Sequence, residues 1–76
     1  MLECFLAFME KKTEKIIENI RKKRLEKGLS LLNLANMVEI SHSHLYYIES
    51  KRVIPSIDVL VKISKGLGIN VKELLD

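Results

Sequence analysis

The chain has 76 residues, enough for one small domain whose core supplies only a few kcal/mol of net stability, and too little material for most catalytic clefts. Hydrophobic residues make up 47% and charged residues 30%, with one proline, which suits a compact helical chain better than a disordered one. A formal charge of +3 is mildly basic, no apolar run reaches membrane-spanning length, and the lone Cys4 excludes an internal disulfide or a cysteine metal site, so a reducing, cytoplasmic setting is expected.

Residues 1–12, MLECFLAFMEKK, carry Leu2, Phe5, Leu6 and Met9 at i, i+3, i+4 and i+7, with Phe8 beside them, the stripe of an amphipathic helical turn or two. Glu3 where a basic start is needed, and the shortness of the run, argue against a signal peptide. Three destinations stay open for this segment: packing onto its own domain, pairing with the same segment of a second subunit, or a loose extension, since Met9 is itself a candidate start. It is also the first candidate surface for a protein partner.

A first helix is expected over 13–27, with Thr13 as N-cap and Gly28 as the left-handed residue that ends it. Ile16, Ile17 and Ile20 face the core. Between residues 11 and 27 stand eight basic residues (Lys11, Lys12, Lys15, Arg21, Lys22, Lys23, Arg24, Lys27) against Glu14, Glu18 and Glu26, a local excess of five. A surface for a polyanion and an ordinary solvated face with Glu/Lys pairs both fit that pattern.

Residues 30–50, SLLNLANMVEISHSHLYYIES, read as two short helices joined by a tight turn, each opened by a serine whose hydroxyl accepts from an orphan backbone N–H. Leu31, Leu32, Leu34, Ala35 and Val38, then Ile40, Leu45 and Ile48, supply one buried face, and Ala35 keeps the helices close. His42, Ser43, His44, Tyr46 and Tyr47 fall off that face, leaving a short helix with a hydrogen-bonding outer surface, the shape that enters a DNA major groove. His42 and His44, two residues apart, point about 200° from each other, so one metal ion is not held by both. Tyr46 and Tyr47 diverge by about 100°, a poor stacking platform for single-stranded nucleic acid. With no paired carboxylates, nucleophile and base, or phosphate loop, neither enzymatic activity nor a cofactor is expected.

Lys51 and Arg52 open the next loop. Ser56 caps a fourth helix over 57–65, with Ile57, Leu60, Val61 and Ile63 at core spacing and Gly66 or Gly68 ending it. Asn70 followed by Glu73 forms a capping-box start for a fifth helix over 71–75. The sequence ends there, and no separate ligand-binding or dimerisation domain is expected.

The ordered set Gly28-Leu29-Ser30, Leu34-Ala35, Ile40-Ser41, Leu45, Ile48-Glu49, Pro55-Ser56, and Leu67 with Ile69 ahead of Leu74-Leu75, resembles the helix-turn-helix of the phage repressor and Cro-type (XRE) family from about residue 16 to 75. The resemblance implies an all-α, five-helix, lambda-repressor-like domain over 13–76, with residues 1–12 as an apolar extension. It implies a small transcriptional repressor that binds a palindromic double-stranded DNA operator as a homodimer, with helix 42–50 in the major groove. Base contacts then fall to His42, Ser43 and Tyr47, and backbone or flanking contacts to Ser30, Asn33, Ser41, His44, Tyr46, Lys51 and Arg52. Arg24 and Glu49 are expected to form a structural ion pair, and Leu74 and Leu75 are candidates for the two-fold contact. Four departures stand out: Lys23 for an apolar residue, Leu31 for a phosphate-binding glutamine, and Glu39 and Lys51 for glycines. The missing basic residues on the third helix leave a rival reading, a protein-binding or antitoxin-like module using the same fold or the first dozen residues.

Overall fold

No glycine or proline interrupts the first 26 residues, and good helix formers dominate them, so a single helix, α1 (Leu2–Glu26), takes the first third of the chain. The structure, a computed structural model, describes the backbone of residues 2–75 and the side chains of residues 11–75. Thr13 lies inside α1 rather than capping it, because nothing around it breaks the helix. From Leu2 on, the expected extension and the expected first helix are therefore one element. The apolar stripe of Leu2, Phe5, Leu6 and Met9 lies outside the described side chains.

From Ile16 onward α1 packs inward, with Ile20 fully enclosed, Ile17 buried and Ile16 half-buried. It ends as expected at Gly28, whose φ of 69° lets the Gly28 N–H donate to the Leu25 carbonyl (3.0 Å) and the Leu29 N–H to that of Arg24 (3.1 Å). Four more helices follow: α2 (Leu31–Val38), α3 (His42–Glu49), α4 (Ile57–Leu67) and α5 (Val71–Leu75). Ser30, Ser41 and Ser56 cap three of them, each hydroxyl accepting from the backbone N–H three residues on, at 3.0, 3.0 and 3.2 Å. At α5 the Asn70 N–H donates to Glu73 Oε2 at 2.9 Å, half of the expected capping box.

Two helices end in left-handed residues that are not glycine. Glu39 (φ 60°) closes α2, and Lys51 (φ 66°) closes α3 with the Arg52 N–H on the Tyr47 carbonyl at 2.9 Å. A side chain in that conformation costs about 1 kcal/mol relative to glycine. Glu39→Gly is therefore expected to raise stability by about 1 kcal/mol in urea unfolding, with the fold unchanged; a loss of stability would show that the Glu39 side chain contributes more than the strain removes.

The core forms where α1 meets α3, α4 and α5 and where α2 lies on α3 and α4. Leu34, Leu45, Ile48, Ile63, Leu67 and Leu74 are its fully enclosed large side chains besides Ile20. Two apolar residues assigned to the core stay outside. Leu32 is 52% exposed because the buried row of α2 is Leu31, Leu34, Ala35 and Val38, about 100° away around the helix. Ile57, 77% exposed, has the right phase but stands in the first turn of α4, where no neighbouring helix covers it. α4 also runs two residues past the expected Lys65, taking Gly66 into the helix against Val38 and ending at Gly68.

Candidate nucleic-acid interface

Helix α3 is short, and its position is fixed from beneath. Leu45 and Ile48 anchor it in the core, and Glu49 receives Arg24 from α1 in a forked pair: Nε donates to Oε2 at 2.8 Å and Nη2 to Oε1 at 3.0 Å. The third arm of the guanidinium, Nη1, donates to the Leu29 carbonyl at 2.8 Å, so one side chain ties α1, α3 and the entry to α2. Both side chains are nearly enclosed, at 10% and 7% exposure, where bidentate geometry offsets the desolvation of the two charges.

With its inner face held, α3 presents the rest outward. His42, Ser43, His44, Tyr46 and Tyr47 are all exposed, and among the described residues the side chains of His42, Ser43 and His44 have no hydrogen-bond partner. That is an array of donors and acceptors on a rigid helix, the requirement for reading base edges. Tyr46 and Tyr47 meet edge to face, centroids 5.7 Å apart and planes at 61°, so they offer no parallel stacking surface. Ser30, Asn33 and Ser41 gather at the starts of α2 and α3, also exposed. Ser30 and Ser41 spend their hydroxyl oxygens on caps, leaving each O–H free to donate.

The basic residues are placed less freely than the sequence implied. Lys51 Nζ lies 3.4 Å from Glu18 Oε1 on α1, and the Arg52 guanidinium sits 5.9 Å from the centre of the Tyr47 ring. A cleft of about 190 Å³ beside α3 is lined by Arg21, Arg24, Leu31, Tyr46, Glu49 and Ser50. Arg21 and Glu18 enter the sequence reading only as members of the mixed-charge run over 11–27, not as residues beside α3. The signal for Arg21 was its spacing of three from Arg24, which puts both on one side of α1; nothing local in the sequence pairs Glu18 with Lys51, 33 positions away.

Comparison with known proteins agrees with this geometry. The pattern of the family described as Helix-turn-helix matches residues 20–74. A protein of Aeropyrum pernix named as an HTH-type transcriptional regulatory protein is 41% identical over 59 residues, 78% of this chain but 18% of its own length. The HTH-type transcriptional regulator DdrOP3 of Deinococcus deserti is 36% identical over 62 residues, 82% of this chain and 48% of its own. The chain thus spans less than half the length of either relative. Among solved structures, the restriction-modification controller protein C.AhdI of Aeromonas hydrophila superposes with a TM-score of 0.76 at 28% identity, over 79% of this chain and 91% of that one. The hypothetical transcription factor NHTF from Neisseria superposes with a TM-score of 0.79 at 25% identity, over 87% and 75%. A five-helix body whose third helix is locked from below and bare above, matched over most of its length by this pattern, belongs to the helix-turn-helix family of phage repressor and Cro (XRE) type.

Proposed function

We propose that this chain binds double-stranded DNA sequence-specifically as a small transcriptional repressor in the cytoplasm, with α3 in the major groove. The observation that carries the reading is the outer face of α3, where His42, Ser43 and Tyr47 stand exposed on a helix that Arg24 fixes through Glu49. His42, Ser43 and Tyr47 read base edges; Ser30, Asn33, Ser41, His44 and Tyr46 meet the backbone or flanking positions. Lys51 and Arg52 add affinity without sequence preference. Residues 13–76 form the DNA-binding unit, and residues 2–12 extend its first helix.

One α3 reads only a few base pairs, so two copies related by a two-fold axis are needed for a palindromic operator with half-sites about one helical turn apart. Leu74 is fully enclosed, which leaves Leu75, 45% exposed, for a contact between subunits; Ile54 at 79% and Ile57 at 77% are apolar side chains with more to gain from one.

Selection of bound duplexes from a random pool at moderate salt, with the mass of the protein in solution measured alongside, tests the reading. Enrichment of an inverted repeat by a dimer is expected. No enrichment by a folded protein would contradict it and favour a partner-binding module, with residues 1–12 the first surface to examine. Within the DNA-binding reading, replacing Lys51 and Arg52 together by alanine should weaken binding to every duplex and flatten the slope of log K against log salt by about 2. An unchanged slope would put the α3–α4 loop away from the phosphates.

A further inference from the structure

Lys51 is already occupied before any DNA arrives. Its ammonium lies 3.4 Å from Glu18 Oε1, which reaches across from α1. The backbone at Lys51 is pinned: φ is 66°, its N–H donates to the Ile48 carbonyl at 3.0 Å, and the next N–H donates to the Tyr47 carbonyl at 2.9 Å. The side chain therefore always leaves the loop from the same point, within reach of Glu18. Both side chains are about half exposed, at 43% and 59%, so the pair contributes little to folding and is open to competition from solvent ions or from another anion.

Resting on the DNA-binding reading above, we propose that Glu18 is an intramolecular stand-in for a DNA phosphate, and that by holding Lys51 it restrains the sequence-independent part of the affinity. Two effects act together. To meet a phosphate, Lys51 must exchange one anionic oxygen for another, so binding gains only the difference between them. The carboxylate it leaves then stays beside the incoming phosphate and repels it. α1 carries its own comparison: Glu14 is exposed one turn away and, among the described residues, has no partner, whereas Glu26 is matched to Lys23 at 3.8 Å. Glu14→Gln and Glu18→Gln change the net charge equally, and only the second frees Lys51.

The test is the affinity for a labelled random-sequence duplex, followed by fluorescence anisotropy from about 50 to 200 mM salt, the range over which phosphate contacts dominate. Glu18→Gln is expected to tighten binding about fivefold at the low-salt end and to steepen the salt slope by up to about 0.9. Glu14→Gln should change it less than about twofold. Combining Glu18→Gln with Lys51→Ala should give a protein that binds no more tightly than the parent. Far-UV circular dichroism of each variant checks that the helices persist. The proposal is overturned if Glu18→Gln binds no more tightly than the parent, if Glu14→Gln matches it, or if the double variant still binds more tightly than the parent. A parent protein that binds neither random nor selected duplexes would instead overturn the DNA-binding reading itself, and this inference with it.

Discussion

Arg24→Ala is expected to destabilise the domain by about 3 to 5 kcal/mol, enough to leave most of the protein unfolded at room temperature. The change strands Glu49, 7% exposed, without its counter-charge, and the Leu29 carbonyl loses its donor as well. An unpaired carboxylate in that position carries its desolvation penalty alone. Replacing both partners by apolar residues of similar volume, Arg24→Met with Glu49→Leu, removes the charges together and should recover most of the lost stability. Urea unfolding followed by circular dichroism measures both variants. A single-variant loss below about 1 kcal/mol would show that the pair behaves as a surface one. The double variant carries a second expectation: a domain that folds yet binds selected DNA more weakly, since α3 loses the fork that sets its orientation.

Gly66→Ala addresses the other close approach in the fold. A Cβ at Gly66 would stand 2.4 Å from Cγ1 of Val38, a side chain that is itself 5% exposed and cannot swing into solvent. Alanine in a helix interior ordinarily gains about 1 kcal/mol over glycine. Overpacking of about 1 to 3 kcal/mol opposes it, so a net loss of up to about 2 kcal/mol is expected. Val38→Ala opens the space that the new methyl fills, and the double variant should be more stable than the sum of the single losses predicts by at least about 1 kcal/mol. Additive losses would mean that α2 and α4 separate without strain.

These two positions also mark what the sequence does and does not disclose. The pairing of Arg24 with Glu49 was legible only through resemblance, because no local rule links residues 25 positions apart; the geometry then gave the fork and the Leu29 contact. Helix starts were legible from chemistry: Ser30, Ser41 and Ser56 cap as their hydroxyls dictate, and Gly28 and Gly68 end helices where a positive φ is needed. The start of α1 was not, since Thr13 is an equally good cap and interior residue until the tertiary context decides. Gly66 likewise carried two readings, terminator or contact point, and only the nearness of Val38 distinguishes them. Periodicity found Leu34, Ala35 and Val38 of α2 but overreached at Leu32, which is out of phase with them, and at Ile57, where phase is right and the neighbour is missing. At the interface, the outward set from His42 to Tyr47 followed from helical phase, whereas the capture of Lys51 by Glu18 depends on how α1 crosses α3.

The central claim, that the outer face of α3 reads DNA, is tested most directly by titrating the selected duplex into isotopically labelled protein and following its backbone amide signals. The account predicts that the largest changes fall on residues 42–47, at the start of α2 near Ser30 and Asn33, and at Lys51 and Arg52. Changes concentrated instead in the groove lined by Met37, Lys62 and Lys65, with residues 42–47 unmoved, would contradict it.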